Sequence, residues 1–380
     1  MKLVLTVERY APAIGGAERV VQRIGEGLAN RGHEVHVVTG GGHESITIGG
    51  VRVRRFPISG NEVRGIRGDV AAVLGYIDAL RPDLILNYAA QSWPTDCCFS
   101  LVERSDRPAM MLAPCGFSAL RDPRYAGYFA ALRNRLRSYD GLIFHSSIYQ
   151  DWAFAEEAHG TRRWVVPNAA DAPLTHSSEL RAEHADREGL VVTVSSHVRT
   201  KGHAEFFAAV RALRRDRDIA GVVVAPTRRG AEHVRGCQIA CQARSRVARG
   251  WFRLLDGTDP ATVSDALKGA DLFLFTSSVE CAPLVILEAM AAGTPWVSYD
   301  VGNVAELAGG LVAKDFGDLV RLAGDVLDGS SSALGSAGRQ AWREHHQWGD
   351  VVGRYEQILS AVADGRARGA IGAITRLRPE

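Results

Sequence analysis

Residues 277–307 read SSVECAPLVILEAMAAGTPWVSYDVGNVAEL. The run DLFLF at 271–275 just before it is a short apolar strand, and good helix formers fill Leu284 to Ala291. Pro283 suits the first turn of that helix, and Gly293 with Pro295 ends it. A strand that feeds a helix through a short loop is the building unit of a parallel α/β sheet. The free N–H groups and positive dipole end of such a helix suit a phosphate. Glu280 lies in the loop and Glu288 about one turn inside the helix. A helical carboxylate can accept two hydroxyls, as from a ribose. By spacing alone, the pair reads equally well as a solvated loop residue and a helix surface charge, because such spacings are common.

Working outward, the same unit recurs. Leu3–Val7, Val35–Val38, Leu84–Leu86, Ala109–Leu112 and Leu142–Phe144 are short apolar strands, and Val51–Phe56 alternates apolar residues with Arg. Between them, Ala17, Val20, Val21, Ile24 and Leu28 form a helical stripe with Gly32 as its stop. Asp69–Leu80, Tyr128–Tyr139 and Ser147–His159 are further helices. Trp164–Val166 is a strand, and the connector PNAADAP, 167–173, ends the series. It restarts with strands at Leu190–Val194, Gly221–Ala225, Arg253–Leu255, Asp271–Phe275, Trp296–Tyr299 and Gly310–Val312, and an amphipathic helix at Trp348–Val362 closes the chain. The fold class is α/β in two domains joined near residue 170. Parallel sheets place ligands at the C-terminal ends of their strands, and two such domains would leave a cleft between them.

Composition narrows the function. A length of 380 residues suits two domains. With 45 basic against 43 acidic residues the net charge is +2, which argues against a dedicated nucleic-acid binder. No apolar run approaches the roughly 18 residues of a membrane span. The opening MKLVLTVERYAP reads as a strand, not a signal peptide, and six cysteines are too sparse for a disulfide scaffold, so the cytoplasm is the expected location. Only Lys2, Lys201, Lys268 and Lys314 are lysines in an Arg-biased chain, which makes a Lys at a motif position conspicuous.

The 277–307 segment resembles the Glu-x7-Glu signature of retaining glycosyltransferases of family four, including the Pro-Leu-Val after the first Glu, EAMAAGTP and DVGNVAEL. YAPAIGGAERVVQRIGEGLANRGHEVHVVTG, 10–40, is similar to that family's glycine-loop opening, VVPNAAD, 165–171, to its interdomain segment, and VVTVSSHVRTKGHAEFFAAV, 191–210, to its diphosphate-holding stretch. The resemblance implies the GT-B fold of two facing Rossmann-like domains. Residues 1–169 would handle the acceptor, with a C-terminal helix near 350–363 returning to them, and 170–349 would bind the nucleotide sugar.

Carried over, Glu288 binds ribose and Glu280 lies by the transferred sugar. The amides of Leu284 and Val285 hold the diphosphate with Lys201, and Gly15 and Gly16 reach the phosphates. The loop Leu255–Gly257 after a strand faces the base. A departing diphosphate gains negative charge, so a fixed cation and aimed amides serve it, and no metal is expected.

Three positions depart from the family pattern. The family's Arg, five residues before the Lys, is Ser196 here, with Arg199 as the substitute cation. APCGF, 113–117, puts Cys115 where many relatives have a His that contacts the sugar, and a thiol is the poorer hydrogen-bond partner. Cys115 reads slightly better as a small buried residue. Cys281–Ala282 replaces a commoner polar or Gly-Phe pair.

Other patterns carry less. His233, Cys237 and Cys241 share a helical face, but no fourth zinc ligand is evident, and a small apolar stripe is the expected reading. Arg52, Arg54, Arg55, Arg64 and Arg67 form a basic patch, read as a solvated face, with anionic lipid at the inner membrane face or an acidic acceptor as the alternative. His33 and His36 are expected to be structural.

The sequence thus points to a retaining transferase that moves sugar from a UDP- or GDP-sugar to a glycan, lipid or metabolite. An epimerase or hydrolase on the same fold and a non-catalytic sugar-nucleotide binder remain as alternatives. A nicotinamide oxidoreductase lacks its G-x-G-x-x-G, since GGAE follows the first strand.

Overall fold

The apolar runs pair into two mainly parallel sheets, one in each of the two units into which contacts divide the chain. A computed structural model describes residues 1–13, 15–157, 160–174, 177–226 and 235–367. The first unit is Met1–Asn168 with the segment from Trp348 onward, and the second is Ala169–Gln347.

The first unit holds β1 (Lys2–Thr6), β2 (Glu34–Gly40), β3 (Ser45–Ile48), β4 (Val51–Phe56), β5 (Ser59–Asn61), β6 (Gly65–Arg67), β7 (Leu84–Tyr88), β8 (Ala109–Ala113), β9 (Gly141–Phe144) and β10 (Arg163–Val165). Eight of them form a sheet in the order β10-β9-β8-β7-β1-β2-β4-β3, parallel except for β3 against β4; β5 and β6 are a separate hairpin. The chain starts at β1, builds outward through β2, then resumes on the other side at β7. The strand order therefore reverses beside β1, and the loop after β1 leads to Gly15 and Gly16.

The helices of this unit follow their signals. Asp69 caps Val70–Leu80 by accepting from Ala72 N. Gly32, at φ +87°, sits just past the end of Gly16–Asn30. The terminal helix Trp348–Ala367 packs on Gly16–Asn30 at Gly27, where a Cβ would come within 2.7 Å of Val352. His33 Nε2 reaches Glu356 at 2.8 Å across the same contact.

The second unit holds β11 (Gly189–Val194), β12 (Ile219–Pro226), β13 (Phe252–Thr258), β14 (Leu272–Phe275), β15 (Trp296–Tyr299) and β16 (Gly310–Ala313), ordered β13-β12-β11-β14-β15-β16 and all parallel. Phe273, Phe275, Ile286, Met290 and Trp296 are fully buried between this sheet and its helices. Each such side chain contributes about 1.5–3 kcal/mol. The order reverses between β11 and β14, so the loops leaving their C-terminal ends lie side by side, where open α/β sheets bind ligands.

Two expectations are corrected here. Leu255–Gly257 is no loop: it lies inside β13, which stays paired with β12 past Asp256 through a register shift at Ala225/Pro226. Leu255 packs on the core. Pro283 is not in the first turn of its helix but caps it, with extended backbone at φ −70°, ψ 114°.

Candidate active site

β14 ends at Phe275, and the buried Thr276 and Ser277 turn the chain toward Glu280 and the helix Leu284–Ala292. No side chain caps that helix's first turn, so the Leu284 and Val285 amides present the donor end that the sequence assigns to a phosphate. Gly293, at φ +77°, closes the helix. Glu288 is its fifth residue, half-buried.

The neighbouring loop leaves β11 as Ser195 to Val198, makes one turn at Arg199–Lys201 and enters the helix His203–Leu213 through Gly202. Ser278 N donates to Thr200 O at 2.8 Å, and Thr276 Oγ1 donates to Gly202 O at 3.0 Å. Gly202 is required: its φ is +69°, and a Cβ there would stand 2.1 Å from Thr276 O. Gly302, from the DVGN run, lies against the other flank, where a Cβ would meet Cys281 O at 2.3 Å. Two glycines thus let three loops close around one point.

At that point Lys201 Nζ is bonded to the Glu280 carboxylate. Their side chains are 24% and 12% exposed, so the pair is shielded yet reachable. The resemblance assigned both to one donor through separate motifs; their direct contact comes from adjacent loops on β11 and β14. Ser196 is buried and its carbonyl accepts from Val198 N at 2.7 Å. Arg199 is exposed and has no ion pair among the described residues. The structure therefore brings Lys201 to Glu280 and does not bring Arg199 to either.

The close contact at Gly202 has a direct consequence. Gly202→Ala should cost about 1–3 kcal/mol, from left-handed backbone and the clash with Thr276. Gly16→Ala, where a Cβ meets nothing within 4 Å, should leave stability unchanged. Urea unfolding midpoints compare the two; an equal response would refute the packing argument.

In the first unit, Gly15 caps the helix Gly16–Asn30 with extended backbone, and its side of the loop offers no capping side chain. Cys115 follows β8 at φ +58° and is half-buried. Its Sγ lies 3.9 Å from His145 Nε2, which also takes a 2.9 Å hydrogen bond from Tyr88 OH. The other ring nitrogen, Nδ1, donates to Val166 O at 3.1 Å. Burial lowers the His145 pKa and pushes the Cys115 thiol up to about 12, so both are neutral. Cys115 is thus a neutral thiol beside a neutral imidazole.

The basic patch is largely engaged. Arg52 pairs with Glu34, Arg54 donates to His43 O and Ser45 Oγ at 3.0 Å and lies over Phe56, Arg55 donates to Gly40 O and Ala11 O, and Arg64 Nε donates to Tyr125 OH. His36 bonds Glu34 at 3.0 Å. Among the described residues no helix is long and apolar enough to cross a membrane. The chain's Asp-x-Asp triplet, Asp216–Asp218, lies just before β12, at the sheet end opposite Lys201. There Asp218 pairs with Arg187 and Arg214.

The fold is shared with solved enzymes. Sucrose-phosphate synthase from Thermosynechococcus elongatus superposes with a TM-score of 0.79 at 16% identity, over 96% of this chain and 99% of that one. Trehalose 6-phosphate synthase from Burkholderia multivorans gives 0.75 at 14% identity, over 96% and 99%. HepE from Anabaena, solved with UDP and glucose, gives 0.69 at 17% identity, over 95% and 100%. No curated protein sequence matches. Residues 14–174 match the family described as Glycosyltransferase Family 4, and residues 178–313 the one described as Glycosyl transferases group 1. The chain belongs to glycosyltransferase family four and is a sugar transferase with the GT-B fold.

Proposed function

We propose that the donor is a nucleoside-diphosphate sugar held by the second unit, and that transfer retains anomeric configuration without a metal. The observation that carries this is the Lys201–Glu280 pair at the sheet's reversal point, beside the start of the helix Leu284–Ala292, where Pro283 offers no side-chain hydrogen bond to the first turn. A diphosphate draws the Lys201 ammonium from Glu280 and accepts from the Leu284 and Val285 amides. Glu288 binds the ribose hydroxyls. Freed of Lys201, Glu280 positions sugar hydroxyls and supports positive charge at the anomeric carbon. The carbon–oxygen bond to the diphosphate breaks on the face where the bond to the acceptor oxygen forms. The acceptor's proton passes to a diphosphate oxygen, and the nucleoside diphosphate leaves. Lys201 and the helix amides stabilise that leaving charge.

The first unit serves the acceptor. A glycan, a lipid and a metabolite are the acceptor classes, and a lipid acceptor would place the protein at the inner membrane face. HepE's complexes with UDP and UDP-glucose favour a uridine donor over a guanosine one.

A thermal-shift titration with UDP, GDP and their sugars tests the donor site. Saturation at about 100 Kd of UDP should add about 2.7 kcal/mol of stability and raise Tm. A flat response to every nucleotide would refute the reading, as would donor consumption that proceeds at full rate without any acceptor.

A further inference from the structure

Outside the donor site, one cluster among the described residues has metal-ligating chemistry that sugar transfer does not use. His197 and His203 lie on either side of Lys201, and Cys237 and Cys241 are one turn apart on the helix Arg235–Val247. One ligand atom from each of the four lies within 4.8 Å of all the others. His203 Nδ1 is 3.5 Å from Cys237 Sγ and 3.4 Å from Cys241 Sγ. A tetrahedral ion with the usual Zn–N and Zn–S bond lengths spans nitrogen–sulfur edges of about 3.5 Å, so these spacings already match. His197, His203 and Cys241 are at most 2% exposed. The rings meet edge to face, 5.1 Å between centroids.

The outer groups also fit. Ser195 Oγ lies 2.7 Å from His203 Nε2, and Asp256 Oδ1 lies 3.4 Å from His197 Nε2. Gln238 Nε2 in turn donates to Asp256 at 2.5 Å. Metal-bound imidazoles hold their second nitrogen against an oxygen in this way, and His203 turns Nδ1 toward both sulfurs.

We propose that His197, His203, Cys237 and Cys241 bind one zinc ion in a closed, structural His2Cys2 site. Each thiol gives its proton to solvent as its sulfur takes the metal. Four protein ligands leave no open position, so the ion takes no part in transfer. Its role is mechanical: it fastens the Ser195–Gly202 loop, and with it Lys201, to the helix Arg235–Val247. His233 lies outside the described residues and is not needed to complete the set. The expectation of an apolar stripe at Cys237 and Cys241 considered only residues close in sequence, and missed the two histidines some 40 residues earlier.

The test uses the full-length protein. Elemental analysis after growth with added zinc should find about one zinc per chain, retained through a weak-chelator wash. After stripping, Co2+ should give the intense visible bands and thiolate charge transfer of a tetrahedral site. Cys237→Ser with Cys241→Ser, and His203→Ala, should cut metal content at least about tenfold. The cobalt titration of the unmutated chain decides the matter even if a variant misfolds. The proposal is overturned if the reduced chain takes up neither ion. A Cys237–Cys241 disulfide in the freshly purified protein, or a cobalt spectrum unchanged in the double serine variant, would overturn it equally.

Discussion

Lys201→Ala is expected to lower turnover by about 10²–10³-fold while the protein stays folded, the loss seen when one aimed donor to a developing oxyanion is removed. The side chain is part-exposed and packs into no core cluster, so truncation opens no cavity. Arg199 does not replace it, because it points to no partner at the site. Lys201→Arg should recover part of the rate, since it keeps the charge but presents a wider, planar fork. Initial rates with saturating donor, beside melting curves, are the measurement. A folded Lys201→Ala protein that turns over at the parent rate removes Lys201 from the mechanism.

Glu280→Ala should move turnover and UDP affinity in opposite directions. In the free protein Glu280 holds the Lys201 ammonium, and its own negative charge faces the position proposed for the diphosphate. Removing it frees the cation and removes the repulsion. UDP should bind several-fold tighter, and each tenfold corresponds to about 1.4 kcal/mol. Turnover should nevertheless fall by about 10²-fold or more, because the anomeric carbon loses its anionic support. Calorimetric titration with UDP and steady-state rates give the two numbers. If both weaken together, Glu280 only shapes the loop.

What the sequence made legible was local. The loop–helix unit at 271–293, the glycine stop at Gly293 and the strand starts all rest on contiguous residues, and the structure has them within a residue or two. The failures have physical causes. Asp256–Gly257 reads as a turn, but Gly257 takes φ +72° inside β13, where the pairing with β12 skips from Asp256 to Thr258 and so continues. The helix Ser331–His345 has no strong signal, since Gly and Ser dominate its first half. It forms because Gly335 and Gly338 let it approach the Gly293 and Gly309 backbone, where a Cβ on Gly335 would lie 2.1 Å from Gly293 O. Ser45–Ile48, at the sheet edge and largely exposed, carries no apolar run to announce it. At the site, Lys201 and Glu280 were each legible from their motifs, but their pairing comes from the reversal of strand order at β11 and β14. The histidine–cysteine cluster was hidden for the same reason, as its members come from separate βα units.

The most direct measurement is a crystal structure with UDP. The account predicts phosphate oxygens about 2.7–3.2 Å from Lys201 Nζ and from the Leu284 and Val285 amides, with Lys201 released from Glu280. Phosphates bound elsewhere, with Lys201 still on Glu280, would contradict it.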